Sequence, residues 1–319
     1  MLSFSEKLWY NNRQYKGGCS VYPRETWELR RCYGRACMAL LVYTLLVQLC
    51  AGLAAGAAYA QGEGWFSDPV GMELLNTALV YPLGLLVFRW MLRDAPVPKL
   101  AKPPLPTLRQ AGETAVVALG LLYGGSMLTH LLLSGTDTTD YANQFVEEQP
   151  LWAALVFTVV LAPVFEELIF RKVLLDRLLY LGDWSALLLS SLFFGLFHTN
   201  LYQFLYALLV GLVLGYIRIM TGRMVCNIAL HMGINLLGGV LVGRIPEGSW
   251  GEQLLGTVIL VCIAYSLWYL ASRRPWEALY EGPMDWFSPM DKAHACLSSP
   301  AFWLCVAVHL GLSFLLISL

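Results

Sequence analysis

The chain has 319 residues, 57% of them hydrophobic and 13% charged, with a formal net charge of −1. A charged share about half that of a soluble domain leaves too few polar groups to clothe a water-facing globule of this size. The near-zero net charge also removes any general electrostatic case for a nucleic-acid partner.

A polar, basic stretch at 1–35 opens the chain, with Lys7, Arg13, Lys16, Arg24, Arg30, Arg31 and Arg35. It reads as an arm rather than a cleavable signal peptide, because no short apolar run with a small-residue cleavage site occurs there. Apolar blocks then recur at 36–60, 70–92, 111–133, 151–171, 184–198, 201–219, 224–243, 253–272 and 300–318. A bilayer core of about 30 Å takes roughly 20 apolar residues per helical crossing, and most blocks have about that length. The pattern predicts an all-α, polytopic transmembrane bundle of about 8–9 helices. Block 184–198 is short and is expected to tilt, or to form a hairpin with 201–219. Prolines 96, 98, 103, 104 and 106 make a stiff connector between the second and third blocks.

Basic residues follow the second, fourth, sixth and eighth blocks, among them Arg93, Lys102, Arg171, Lys172, Arg177, Arg218, Arg223 and Arg273. Only Arg244 lies on the other side, where the loops carry Glu63, Asp68, Asp137, Asp140, Glu147, Glu148, Glu247 and Glu252. The positive-inside rule then predicts a cytoplasmic N-terminus. Glycine pairs four apart at 52/56, 120/124, 211/215 and 239/243 suit close helix approach in lipid but identify no function. The eight cysteines show neither a CxxC pair nor zinc-finger spacing and read as structural. The expected division is the arm 1–35, three membrane helices in 36–135, a core at 150–243 carrying the polar motifs, and C-terminal helices with an interfacial loop in 244–319.

An ionisable group inside an apolar segment costs roughly 2.5–3.5 kcal/mol on insertion scales, so it is a functional-site hypothesis by default. Here such groups cluster in 166–235. Glu166 and Glu167 are adjacent at what reads as the inner end of the fourth helix, and Arg171 stands four residues on, able to pair with Glu167. That leaves Glu166 as a general-base candidate. Phe194 and His198 are four apart at the end of the next apolar run; His231 and Asn235 are four apart within the seventh. Each motif alone also fits a boundary charge, an interfacial histidine or an interhelical hydrogen bond. Together the inventory suits hydrolysis, in which a carboxylate and a histidine take a proton from water while a histidine and an asparagine donate to an oxyanion. It also suits a zinc site on Glu166, His198 and His231. A proton-coupled transporter or a non-catalytic membrane scaffold could use the same groups. No inverted repeat supports the transporter, and five costly polar groups in one cavity would have no use in an idle scaffold.

Glu-Glu-x-x-x-Arg, Phe-x-x-x-His and His-x-x-x-Asn, each on its own apolar helix and in this order, resemble the CPBP family of intramembrane proteases. That family includes the type II CAAX prenyl endopeptidases and the Abi bacteriocin-processing proteins. The resemblance covers about residues 150–243. It implies a helical bundle of about eight helices with a cavity opening to the cytoplasmic side, and an endopeptidase acting near a membrane-associated or prenylated terminus. It implies that Glu166 and His198 activate water, that His231 and Asn235 form the oxyanion hole, and that Glu167 and Arg171 hold the catalytic helix. It implies peptide or protein substrates at the membrane, lipidated ones included, with membrane lipids as further partners. Because some members have been described as metalloproteases, zinc stays open beside the favoured cofactor-free glutamate mechanism. The N-terminal arm and the extra C-terminal helix depart from the family's minimal form and put any transfer of substrate in doubt.

Overall fold

A computed structural model of the chain describes residues 24–61, 69–135, 140, 146–280, 282, 284 and 286–317. Lys7, Arg13, Lys16 and Cys19 of the N-terminal arm lie outside the described residues, as do Glu63, Asp68 and Asp137 of the acidic loops. The elements are α1 (Thr26–Gln61), α2 (Pro69–Met91), α3 (Leu108–Leu133), α5 (Asp183–Phe197), α6 (Leu201–Thr221), α8 (Trp250–Arg273), α9 (Pro289–Leu297) and α10 (Pro300–Ile317). Two further helices combine α- and π-helical turns and close on a 3-10 turn, α4 (Leu151–Leu181) and α7 (Met224–Arg244).

Among the described residues seven helices are long and apolar enough to cross a membrane, and α9 with α10 makes a further pair bent by 61°. The chain is a polytopic helical bundle, as composition and block length predict. Its surface carries large apolar side chains such as Leu86, Leu131 and Val261, which face outward and would meet lipid. The main core lies between α1, α2, the second half of α4, α5 and α10, around Leu40, Phe88, Phe170, Leu174 and Phe193.

Two expectations about helix ends need correction. The first helix begins at Thr26, so the stretch 26–35 is helical rather than arm. The fourth does not stop near Arg171 but continues to Leu181. Arg171 is not a boundary charge: it is fully buried beside Glu167. Arg218 is also buried, because Asp176 receives its guanidinium through two bonds, Nε to Oδ1 at 3.0 Å and Nη2 to Oδ2 at 2.7 Å. An ion pair lets a cation leave the surface where a lone one could not. Arg223 behaves differently again. It donates to the Pro103 carbonyl at 3.0 Å and ties the proline-rich connector to the turn between α6 and α7.

The turn between α4 and α5 sets the height of the polar motifs. Gly182 has φ 109°, a backbone state that favours glycine, and α5 starts immediately after it. Glu166 and His198 each lie 16 residues from Gly182, one before it and one after. Two helices folding back from that point bring positions 166 and 198 to about the same depth, since sixteen residues of ideal α-helix span roughly 24 Å. The 15-residue length of α5 is therefore a positioning device. It ends at Phe197, Thr199 takes a left-handed φ of 44°, and Asn200 caps α6 by accepting from the Tyr202 N–H at 2.9 Å. Glycines on this hairpin allow the close approach. A Cβ on Gly211 would lie 3.1 Å from Ser191 Cα, and one on Gly195 would lie 2.8 Å from the Phe204 carbonyl oxygen.

Helices α3 and α8 cross at Gly120, where a Cβ would collide with the Ser266 hydroxyl and the Cys262 carbonyl. Gly120→Val is expected to lower the thermal unfolding midpoint of the detergent-solubilised protein by about 4 °C, from overpacking of about 1–3 kcal/mol. Gly52→Ala, where a Cβ would meet open space, should leave it unchanged. Equal midpoints for the two variants would contradict this crossing.

Candidate functional site

The site is organised around Glu167. Its side chain has no solvent exposure. Oε1 meets His231 Nδ1 at 3.0 Å, while Oε2 accepts from Asn227 Nδ2 at 3.1 Å and lies 3.5 Å from Arg171 Nε. Asn227 also donates to the Leu214 carbonyl at 2.6 Å. Arg171 in turn donates to the Gly211 carbonyl at 3.3 Å and places its guanidinium carbon 4.3 Å from the centre of the Phe194 ring. One carboxylate thus gathers α4, α6 and α7, and its arginine reaches α5. This is the pairing that the four-residue spacing of Glu167 and Arg171 predicts.

Glu166 points elsewhere and has no arginine within ion-pair distance among the described residues. Oε1 receives the Tyr81 hydroxyl of α2 at a long 3.4 Å, and Oε2 lies 3.7 Å from His231 Nε2. The second distance is too great for a direct hydrogen bond but leaves polar atoms facing one another for a water to share. The Tyr81 ring stacks on Phe165 at 5.0 Å, which fixes the phenol beside the carboxylate. The two glutamates therefore approach the same imidazole from its two nitrogens.

Phe194 stands between the histidines. Its ring centre is 5.1 Å from that of His198 and 5.7 Å from that of His231, both edge-on. His198 Nδ1 bonds to the Phe194 carbonyl at 2.7 Å. A carbonyl can only accept, so Nδ1 carries the proton, and Nε2 of the neutral ring is left as an acceptor. His231 Nδ1 is fixed against Glu167 in the same way. His198 is only partly buried, whereas His231 is buried, so His198 is the more open of the two.

Asn235 donates to the Thr158 carbonyl at 2.9 Å, and the cause is Pro163. The Ala162 N–H bonds to Phe157 rather than to Thr158, giving a wide π turn. The next residue able to serve Thr158 is Pro163, which has no N–H. The Thr158 carbonyl is left without a helical partner, and Asn235 from α7 satisfies it. One N–H of the carboxamide is spent on that bond and the other remains. Glu167 and Asn235 each open a π stretch (Glu167–Leu175 and Asn235–Leu241), a feature often found at functional sites.

The structure thus places Glu167 in direct contact with Arg171 and His231, sets Glu166 3.7 Å from the other nitrogen of His231, links Phe194 to both histidines, and ties Asn235 to α4. Sequence reasoning passed over Asn227 and Tyr81. Asn227 was findable, since it extends the His231/Asn235 stripe by one more step of four. Tyr81 carries no signal, being one of sixteen tyrosines and two helices away in sequence. Among the described residues no three His, Cys, Asp or Glu side chains are grouped as metal ligands would be.

A family profile described as type II CAAX prenyl endopeptidase Rce1-like matches residues 148–237, the stretch holding Glu166, Glu167, Arg171, Phe194, His198, His231 and Asn235. An Escherichia coli protein described as an uncharacterized 24.3 kDa protein is 30% identical over 187 residues, which is 56% of this chain and 82% of that one. The chain belongs to the Rce1-like family of CPBP intramembrane proteases. No solved structure matches. Membership carries the general activity, peptide-bond hydrolysis by a multi-pass membrane protein.

Removing the cation from this site should expose the cost of the buried carboxylate. Arg171→Met is expected to destabilise the fold by about 3–5 kcal/mol. Adding Glu167→Gln should recover part of that loss, because the remaining partner is no longer a lone charge. A double-mutant cycle on thermal unfolding measures this, and strictly additive effects would refute the coupling.

Proposed function

We propose that this chain is a metal-independent intramembrane endopeptidase in which Glu166 and His198 activate the attacking water and His231 and Asn235 stabilise the oxyanion. The observation that carries the reading is the division of labour between the paired carboxylates. Glu167 takes the arginine, the asparagine and one imidazole nitrogen, while Glu166 keeps an oxygen 3.7 Å from the other nitrogen and paired with no arginine.

A water held by Glu166 and His198 Nε2 would lose a proton to that pair as its oxygen attacks the peptide carbonyl carbon. The carbonyl oxygen becomes the oxyanion, facing the free N–H of Asn235 and Nε2 of His231, which donates when that ring is the imidazolium paired with Glu167 through Nδ1. On collapse the C–N bond breaks, and the stored proton passes to the leaving amine. Tyr81 positions Glu166. Glu167, Arg171 and Asn227 hold His231 and the helices that carry the reacting groups. Glu166, His198 and His231 have the donor chemistry for zinc, which would supply a Lewis acid for the same water. Their side chains are not grouped as ligands, so no step here runs through a metal.

The proposed substrates are peptides or proteins whose cleaved end is held at the membrane, prenylated ends included, in keeping with the family description. The N-terminus is proposed to be cytoplasmic, on the bias of basic loops. A protease confined to the cytoplasmic face should then trim an N-terminal tag, and trimming only from the opposite face would reverse the orientation.

The decisive assay is cleavage of membrane-tethered and prenylated peptides by the purified full chain. Glu166→Gln and His198→Ala are each expected to reduce the rate by about 10²–10⁴, and Asn235→Ala by about 10²–10³. A strong zinc chelator should leave the wild-type rate unchanged. Retention of full cleavage by Glu166→Gln would overturn the proposal; loss on chelation with recovery on zinc would replace its mechanism. Tyr81→Phe keeps the stack on Phe165 but drops the donor, so kcat is expected to fall by about tenfold at unchanged KM. A change confined to KM would remove Tyr81 from this role.

A further inference from the structure

At the start of α1, the side chains of Trp27, Arg30, Arg31 and Arg35, with Met91 of α2 and Ser299 at the α9–α10 bend, line a cavity of about 600 Å³. Its volume lies in the range of ligand clefts, about 300–1,000 Å³.

Three span ends meet there. Thr26 opens the α1 span, Met91 closes the α2 span, and Pro300 follows the bend into α10. Trp27, Trp90 and Trp303 are all more than half exposed at these ends. Tryptophan gathers where hydrocarbon gives way to headgroups, so the cavity sits at headgroup level.

Its charge is unbalanced. Arg35 has a partner, Asp94, at 3.3 Å. Among the described residues, neither Arg30 nor Arg31 has a carboxylate at ion-pair distance. Glu28, the nearest acid along the helix, is turned back onto the backbone N–H groups of Arg24 and Glu25 at 2.7 and 3.3 Å. Two guanidiniums thus face a cleft whose other walls include the apolar Trp27 and Met91. Guanidinium forks bind phosphate oxygens in pairs, and apolar walls at this depth suit the glycerol and upper chain of a lipid.

We propose that this cavity binds the phosphate of an anionic phospholipid headgroup, with Arg30 and Arg31 as its counter-charges. A free phosphate shares the same chemistry, but it would leave the apolar walls uncovered.

The test is thermal unfolding of the purified full chain in phosphatidylcholine nanodiscs, with phosphatidylglycerol or inorganic phosphate added. Phosphatidylglycerol is expected to raise the wild-type midpoint by about 3 °C or more, and phosphate at the same concentration should not. Arg30→Gln combined with Arg31→Gln should unfold like wild type in phosphatidylcholine alone and lose at least half of the lipid-induced rise. Arg273→Gln, which removes an exposed cation at the end of α8, should keep the whole rise. Retention of the rise by the double variant, or an equal loss in Arg273→Gln, would mean diffuse surface attraction and overturn the site. An equal rise with inorganic phosphate would reassign the cavity to a soluble anion. Should the double variant not fold, native mass spectrometry of wild type decides: no preference for phosphatidylglycerol over phosphatidylcholine refutes the proposal.

Discussion

A carboxylate with no solvent exposure, in the middle of an apolar bundle, fixes more of this molecule than any other group. Glu167 cannot remain there without compensation, and its compensators come from different helices. Arg171 lies one turn along α4, while His231 and Asn227 belong to α7. Arg171 has surplus donors, so it reaches the Gly211 carbonyl of α6 and lies over Phe194 of α5. Replacing such a buried pair with hydrophobic residues is often neutral or stabilising in other proteins. Stability is thus a weak reason for its presence, and a better one is that it admits a single register of four helices. Only with Glu167 so occupied is its neighbour left facing His231 without an arginine.

A second constraint comes from the backbone. Pro163 cannot supply an N–H, and the wide turn before it leaves the Thr158 carbonyl without a helical donor. Asn235 closes that vacancy and draws α7 against α4 one turn beyond His231. Gly182 provides the third constraint, by reversing the chain so that position 198 returns to the height of position 166. Side-chain charge, a missing donor and a permissive glycine thus place groups from three helices at one depth.

Much of this was legible in the sequence for a simple reason: polar groups in lipid-depth segments are costly, so few occur without a use. The helical class, the block positions and the motif spacings all followed from that asymmetry. Depth was harder to read. Arg171 looked like a boundary charge because a sequence shows a cation after an apolar run without showing that the next ten residues continue the helix around it. Arg218 misled in the same way. Asn227 was hidden only by attention to the pair after it. Tyr81 could not be found, since a tyrosine in an apolar helix gives the same signal whether it packs or donates.

Tyr81 also shows why the chain outside the matched stretch matters to the site. The family profile covers 148–237, yet the phenol beside Glu166 comes from α2. Helix α2 packs against α1, and α1 against α9 and α10. Midway along α1, the buried Tyr43 lies flat on Phe197 at 5.1 Å, one residue from His198. The basic cleft lies at the start of the same helix. A group that orders α1, α2 and α10 at the membrane surface would therefore stiffen the wall that holds both aromatic rings against the polar site. The N-terminal helices and the extra C-terminal helix are best understood as that wall, not as additions to a self-sufficient core.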